Sequence, residues 1–171
     1  PKFISRVGTD QQGQSILNAM AEWGMDISYI QADDQHPTGR VDVTVIDDEP
    51  HYDIVSNAAY DFIEPINKLT FSNRGLIYHG SLALRNQQAK DAFEQLTINA
   101  NLPLFVDVNL RPPWWNKQKV EQWLHQATWA KLNEDELGLI GFRQTDIKQA
   151  MTALQNQFQL EQVIVTRGEL G

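Results

Sequence analysis

The chain has 171 residues, 42% of them hydrophobic and 21% charged, which is enough for one substantial core and ordinary for a soluble globular protein rather than a disordered or fibrous one. Its net charge of -8 argues against a protein that tracks a nucleic-acid backbone, which needs clustered lysine and arginine, while a nucleotide can still be held by backbone amides and one or two cations. Cysteine is absent, which excludes disulfide frameworks and thiolate zinc sites and fits a cytoplasmic protein; no apolar run reaches the roughly 18 residues of a membrane span, and no targeting pattern opens the chain.

In chain order, "KFISRVG" reads at once as a strand with nothing before it, and the chain opens on Pro1 rather than a start methionine. At the other end, "QVIVTRGELG" is a strand and a glycine turn with no helix after it. Both ends therefore read as cut, and the expectation is a portion of a longer chain. The stretch "SILNAMAEWG" (15 to 24) predicts an amphipathic helix stopped by Gly24. After "HPTG", the alternation in "RVDVTVIDDEPHYDIV" predicts two antiparallel strands around an acidic turn, with Val41, Val43 and Val45 on one face. Such a hairpin beside a parallel sheet reads as a lid or small subdomain, with boundaries near residues 36 and 64.

From Leu76 onward, strand-length apolar runs alternate with amphipathic stretches of helical length. Strands are predicted at "LIYH" (76 to 79), "LFVDV" (104 to 108), "TWAKL" (128 to 132) and "QVIVT" (162 to 166). Between them fall helices over Asn86 to Ala100, with Ala89, Ala92, Phe93 and Leu96 on one face, and over about Lys117 to Gln126. A short acidic helix begins at Glu134, and a longer one runs from Thr145 to Phe158 with Ile147, Ala150, Met151 and Leu154 facing inward. Four strands separated by helices mean right-handed βαβ units and a parallel sheet of the α/β class.

In such a sheet ligands bind outside the carboxyl ends of the strands. The segments at those ends are "HGS" (79 to 81), "NLR" (109 to 111), "NEDE" (133 to 136) and "TRG" (166 to 168). Each has a structural explanation taken alone. Arg111 can cap a helix or pair with a surface carboxylate, Asn133 with Glu136 matches a capping box, and Thr166 with Gly168 matches a plain turn. His79 suits a core or edge histidine, and Trp114 with Trp115 suits packing. Together they suggest phosphoryl transfer: a guanidinium matches phosphate oxygens bidentately, and a carboxylate one helical turn from an asparagine can hold a hydrated magnesium. No H-x-x-H, G-x-S-x-G, Walker A or G-x-G-x-x-G pattern is present to support zinc hydrolase, serine hydrolase, P-loop or dinucleotide-binding chemistry.

Seven stretches in order, "FISRVGTDQQGQSILNAMAEWGMD", "HPTGRVDVTV", "PHYDIVSNAAYDFI", "YHGSLALR", "DVNLRPPWW", "KLNEDEL" and "VTRGELG", make the chain resemble the PfkB (ribokinase-like) family of carbohydrate kinases, and within it the bacterial fructokinase-like members. The resemblance implies a three-layer α/β fold with a small β lid, ATP and magnesium as cofactors, and phosphorylation of a sugar hydroxyl, fructose before 2-keto-3-deoxygluconate or ribose. It assigns Asn133 and Glu136 to nucleotide phosphate and magnesium, with Glu136 reaching the metal through water. It assigns Arg111 to the transferring phosphate or the sugar, Thr166 and Gly168 to the nucleotide turn, and Arg40, Tyr52 and Asn109 to sugar contact. The hairpin from Thr38 to Val55 resembles the lid, which also offers a surface for a homodimer, and the βα core spans 64 to 171.

The family's early sugar-binding segment is expected before Pro1, and the aspartate that accepts the hydroxyl proton is expected after Gly171. No general base is therefore assigned within the chain, and these 171 residues alone are expected not to catalyse transfer. A sugar- or nucleotide-binding protein without chemistry is the alternative from another class. No nucleic-acid or membrane partner is expected.

Overall fold

The computed structural model describes residues 1–46, 48–66, 69 and 74–170. The chain forms two compact units, one of Pro1–Lys68 with Asn86–Leu96 and one of Leu69–Arg85 with Thr97–Gly171.

In the first unit, strand β1 (Ser5–Gly8) leads into helix α1 (Gln11–Glu22) and then into β2 (Ile30–Asp33), which pairs parallel with β1 from Ser5↔Ile30 to Gly8↔Asp33. The helix begins four residues before the start that its apolar periodicity suggests. Asp10 explains this, because its Oδ1 accepts the Gly13 amide at 2.8 Å and so caps a polar first turn that carries no hydrophobic signal. The same carboxylate accepts the Thr38 amide at 2.7 Å and the Thr38 hydroxyl at 2.6 Å, while Thr38 Oγ1 accepts the Gly8 amide at 2.9 Å. One aspartate thus joins the end of β1, the start of α1 and the segment that enters the hairpin. Gly13 must lack a side chain there, since a Cβ would collide with the Gly8 carbonyl.

The hairpin is formed by β3 (Val41–Ile46) and β4 (Glu49–Ile54), antiparallel from Val41↔Ile54 to Ile46↔Glu49. Asp47 of the predicted acidic turn lies outside the described residues. The register gathers Val41, Val43, Val45, Pro50, Tyr52 and Ile54 on one face and sets Asp42 opposite Asp53 on the other. Val43 is 56% and Val45 66% exposed, so this apolar face is not buried.

The second unit is the predicted parallel sheet. Strands β5 (Ile77–Gly80), β6 (Leu104–Asp107), β7 (Trp129–Asn133) and β8 (Gln162–Thr166) lie in sequential order, each parallel to the next. The second helix α2 (Gln87–Ala100) is divided between the units, while α3 (Lys117–Gln126), α4 (Glu134–Leu139) and α5 (Ile147–Phe158) belong to this one. Right-handed crossovers along strands in sequential order put α3 and α5 on one side of the sheet. Ile77, His79, Leu104, Val106, Ala130 and Leu132 are all buried on one face. On the other, register neighbours Tyr78, Phe105, Trp129, Lys131 and Ile164 lie side by side, with Tyr78 60% and Ile164 45% exposed.

Candidate active site

Because β5 to β8 all run the same way, their carboxyl ends share one edge, and the predicted site residues of the second unit lie along it. At the end of β6, Asn109 adopts a left-handed backbone with φ +40°, a region that asparagine tolerates better than most residues. Its carbonyl accepts the Ser81 hydroxyl at 2.8 Å, and the next amide, that of buried Leu110, donates to Glu136 Oε1 at 2.7 Å. The chain then presents Arg111. Its guanidinium is exposed, donates to the carbonyl of Leu110 at 3.3 Å, and among the described residues pairs with no carboxylate. The turn closes where the Trp114 amide donates to the Arg111 carbonyl at 2.9 Å, and the Arg85 guanidinium lies 4.5 Å from the centre of the Trp114 ring.

At the end of β7 the capping box is complete. Asn133 Oδ1 accepts the Glu136 amide at 2.8 Å and Glu136 Oε2 accepts the Asn133 amide at 2.9 Å. Glu136 is only 6% exposed, and its two oxygens therefore tie the α4 start to the β6 loop. Asn133 is the register partner of Thr166, so the β7 and β8 ends are adjacent. Gly168 comes next with φ +56°, where glycine avoids a steric cost and no atom crowds its α-carbon, and Arg167 pairs with Glu134 at 3.2 Å.

Asp107, two residues before Asn109, faces Lys131 Nζ at 2.9 Å and accepts the Tyr78 hydroxyl at 2.8 Å. Partly desolvated and beside Asp107, the Tyr78 hydroxyl is held above its usual range. His79 is buried edge-on to Trp123, 6.2 Å between ring centres, and burial brings its imidazole down to about 4. A neutral core histidine is what results, as its position in the strand suggests.

Arg40 and Tyr52 belong to the first unit. The Arg40 guanidinium donates to exposed Asp42 at 3.0 Å, whereas Tyr52 stands opposite Val43 on the apolar face, so the two candidates do not share a face of the hairpin. A cleft of about 230 Å³ in this unit, bordered by Ile16, Met20, Ile30 and Tyr60, contains none of the predicted site residues. Three features escape sequence reasoning: the Ser81 hydroxyl contact, the Asp10 to Thr38 knot, and Asp33, buried against Arg6 at 2.8 Å. Only the Asp10 cap leaves a local signal, a short acidic residue just before a helical stretch.

A profile described as pfkB family carbohydrate kinase matches residues 1–171. The chain belongs to the pfkB family of carbohydrate kinases. It is similar to the fructokinase of Salmonella typhimurium, 28% identical over 181 residues that cover 99% of this chain and 58% of that protein. The Escherichia coli fructokinase is likewise 28% identical over 179 residues, with the same coverage of 99% and 58%. The chain thus spans about 58% of the length of the curated relatives it matches. Among solved structures it is similar to the apo form of the Vibrio cholerae O395 fructokinase, with a TM-score of 0.84 and 23% identity over 97% of this chain and 60% of that one. A double mutant of the same enzyme bound to fructose, ADP and potassium gives a TM-score of 0.80 at 23% identity, over 98% of this chain and 56% of that one. These likenesses establish the ribokinase-like α/β fold, with the hairpin as its small β element.

For this member of the pfkB family the donor set bears on which metal the site fits. Among the described residues no three histidine or carboxylate side chains cluster to cage an ion. Glu136 gives one lone pair on each oxygen to a main-chain amide and keeps the others. A hydrated divalent ion would meet these remaining lone pairs through water rather than through a cage of protein ligands. Among the described residues no helix is long and apolar enough to cross a membrane.

Proposed function

We propose that the protein transfers the γ-phosphoryl group of ATP to a hydroxyl of a sugar, with fructose as the substrate and magnesium as the nucleotide's counter-ion. The observation that carries this reading is the edge of the parallel sheet, where Arg111, the Asn133 and Glu136 pair, and Thr166 with Gly168 sit at the ends of successive strands while Arg111 stays unpaired with any described carboxylate. Phosphoryl transfer asks little covalent chemistry of a protein and much positioning and neutralisation of charge. In this reading Arg111 binds the equatorial oxygens of the moving phosphoryl group, its planar fork matching two oxygens at once. Asn133 and Glu136 orient the nucleotide's phosphates and their hydrated metal. The turn from Thr166 to Gly168 supports the nucleotide with backbone amides, and Asn109 contacts the sugar. None of these groups is a general base, so proton removal from the sugar hydroxyl falls to a residue outside this set.

The substrate choice rests on relatives named fructokinase and on the Vibrio cholerae enzyme that binds fructose and ADP. The exposed valine face of the hairpin supports a homodimer formed through that element, and dependence on ATP suits a cytoplasmic protein. ADP release by the full-length gene product, measured with fructose, ribose and 2-keto-3-deoxygluconate in magnesium, tests the reading. Fructose is expected to exceed the other two by at least about tenfold in kcat/KM, as a site built around one hydroxyl pattern allows. Preference for another sugar overturns the substrate, and no sugar-dependent ADP release overturns the activity.

A further inference from the structure

The segment that carries Arg111 is pinned from two neighbouring loops. The Ser81 hydroxyl, from the end of β5, donates to the Asn109 carbonyl, and Glu136, from α4, accepts the Leu110 amide. The two contacts hold the carbonyl and the amide of one peptide group, just where Asn109 takes its left-handed φ. Ser81 is 4% exposed and stands before a short 3-10 helix (Leu82–Leu84), yet its hydroxyl makes no cap for that helix. Its donor is spent instead on a carbonyl 28 positions further along the chain. A hydroxyl needed only for local structure would serve its own turn, as serine usually does at a helix start.

We propose that Ser81 is a positioning residue for phosphoryl transfer: by fixing the Asn109 carbonyl it sets the direction in which Arg111 leaves the β6 loop. The inference rests on the assignment of Arg111 to the transferring phosphate. Without the hydroxyl the Asn109 to Leu110 peptide keeps only the Glu136 contact and can rotate about it, and Arg111 swings with it. A misplacement of that kind matters because the guanidinium must meet the phosphoryl oxygens as charge moves onto them.

A double-mutant cycle on the full-length protein tests this. Ser81→Ala is expected to lower kcat about tenfold with KM for ATP and sugar changed less than about twofold, and to cost less than about twofold in kcat when Arg111 is already alanine. Equal losses in the two backgrounds, or no loss in either, overturn the proposal, since a purely structural serine acts regardless of Arg111. Full activity in Arg111→Ala alone overturns the assignment of Arg111, and the Ser81 proposal with it. Should Ser81→Ala fail to fold by circular dichroism, Ser81→Cys enters the same cycle with the same expectations, keeping the side-chain size while weakening the donor.

Discussion

On the proposed reading Arg111 is the residue on which the chemistry turns, and its surroundings make it testable. Exposed, braced at its backbone and unpaired with any described carboxylate, it can be removed without breaking an ion pair. Arg111→Ala is expected to lower kcat by about 10²- to 10³-fold with little effect on thermal stability, and Arg111→Lys to recover part of the loss, because a point charge lacks the fork. Steady-state kinetics with a melting curve check both. Two buried residues make a different prediction, about acid. Burial alone would raise the Asp33 carboxyl, but the amides of Gln35 and His36, the His36 ring and Arg6 outweigh it and bring it down to about 2. Burial lowers the His79 imidazole to about 4, against a weak contact with the Gly80 carbonyl. In both cases the unfolded chain binds the proton more readily, so stability falls with falling pH. The His79 contribution is lost between about 6.5 and about 4, and the Asp33 contribution between about 3.8 and about 2. Urea midpoints against pH check this: His79→Leu is expected to flatten the upper limb and Asp33→Asn the lower, and unchanged slopes would contradict the assignment. The sequence exposes such residues unevenly. Asn133 and Glu136 are spaced as a local motif and form it, whereas the partner of Ser81 lies 28 residues away and no local pattern points to it.

At the scale of elements, the four strands and the longer connecting helices after Leu76 are legible because each carries an apolar run or stripe of the right period in the sequence. The early elements are harder for identifiable reasons. β2 is a four-residue strand, "IQAD", whose most buried residue is a charged one, so neither alternation nor hydrophobicity announces it. The start of α1 is polar and depends on the Asp10 cap. The hairpin, by contrast, is plain in the sequence, and its valine face remains exposed in the structure. If that face pairs two copies, Val43→Asp is expected to convert a sedimenting dimer to monomer while changing folding stability by less than about 0.5 kcal/mol, as an exposed substitution should. A wild-type protein that sediments as a monomer at every concentration tested would rule the hairpin out as a dimer surface.

For the whole molecule, the family is legible from motif order alone: the family profile matches residues 1–171, and the fold agrees with that of a solved fructokinase over 97% of the chain. The chemistry is legible only as a set of loop ends, since a proton acceptor for the sugar hydroxyl is not among them. Function therefore has to be read from how the edge of the sheet treats phosphate. The direct measurement is to incubate the full-length protein with ATP labelled in the γ-phosphoryl group, magnesium and fructose, and to trace the label by mass spectrometry beside Arg111→Ala. Label is expected on the sugar in step with ADP, and about a hundredfold less of it in the variant. Label released only as inorganic phosphate, or equal transfer by both proteins, would contradict a sugar kinase that works through Arg111.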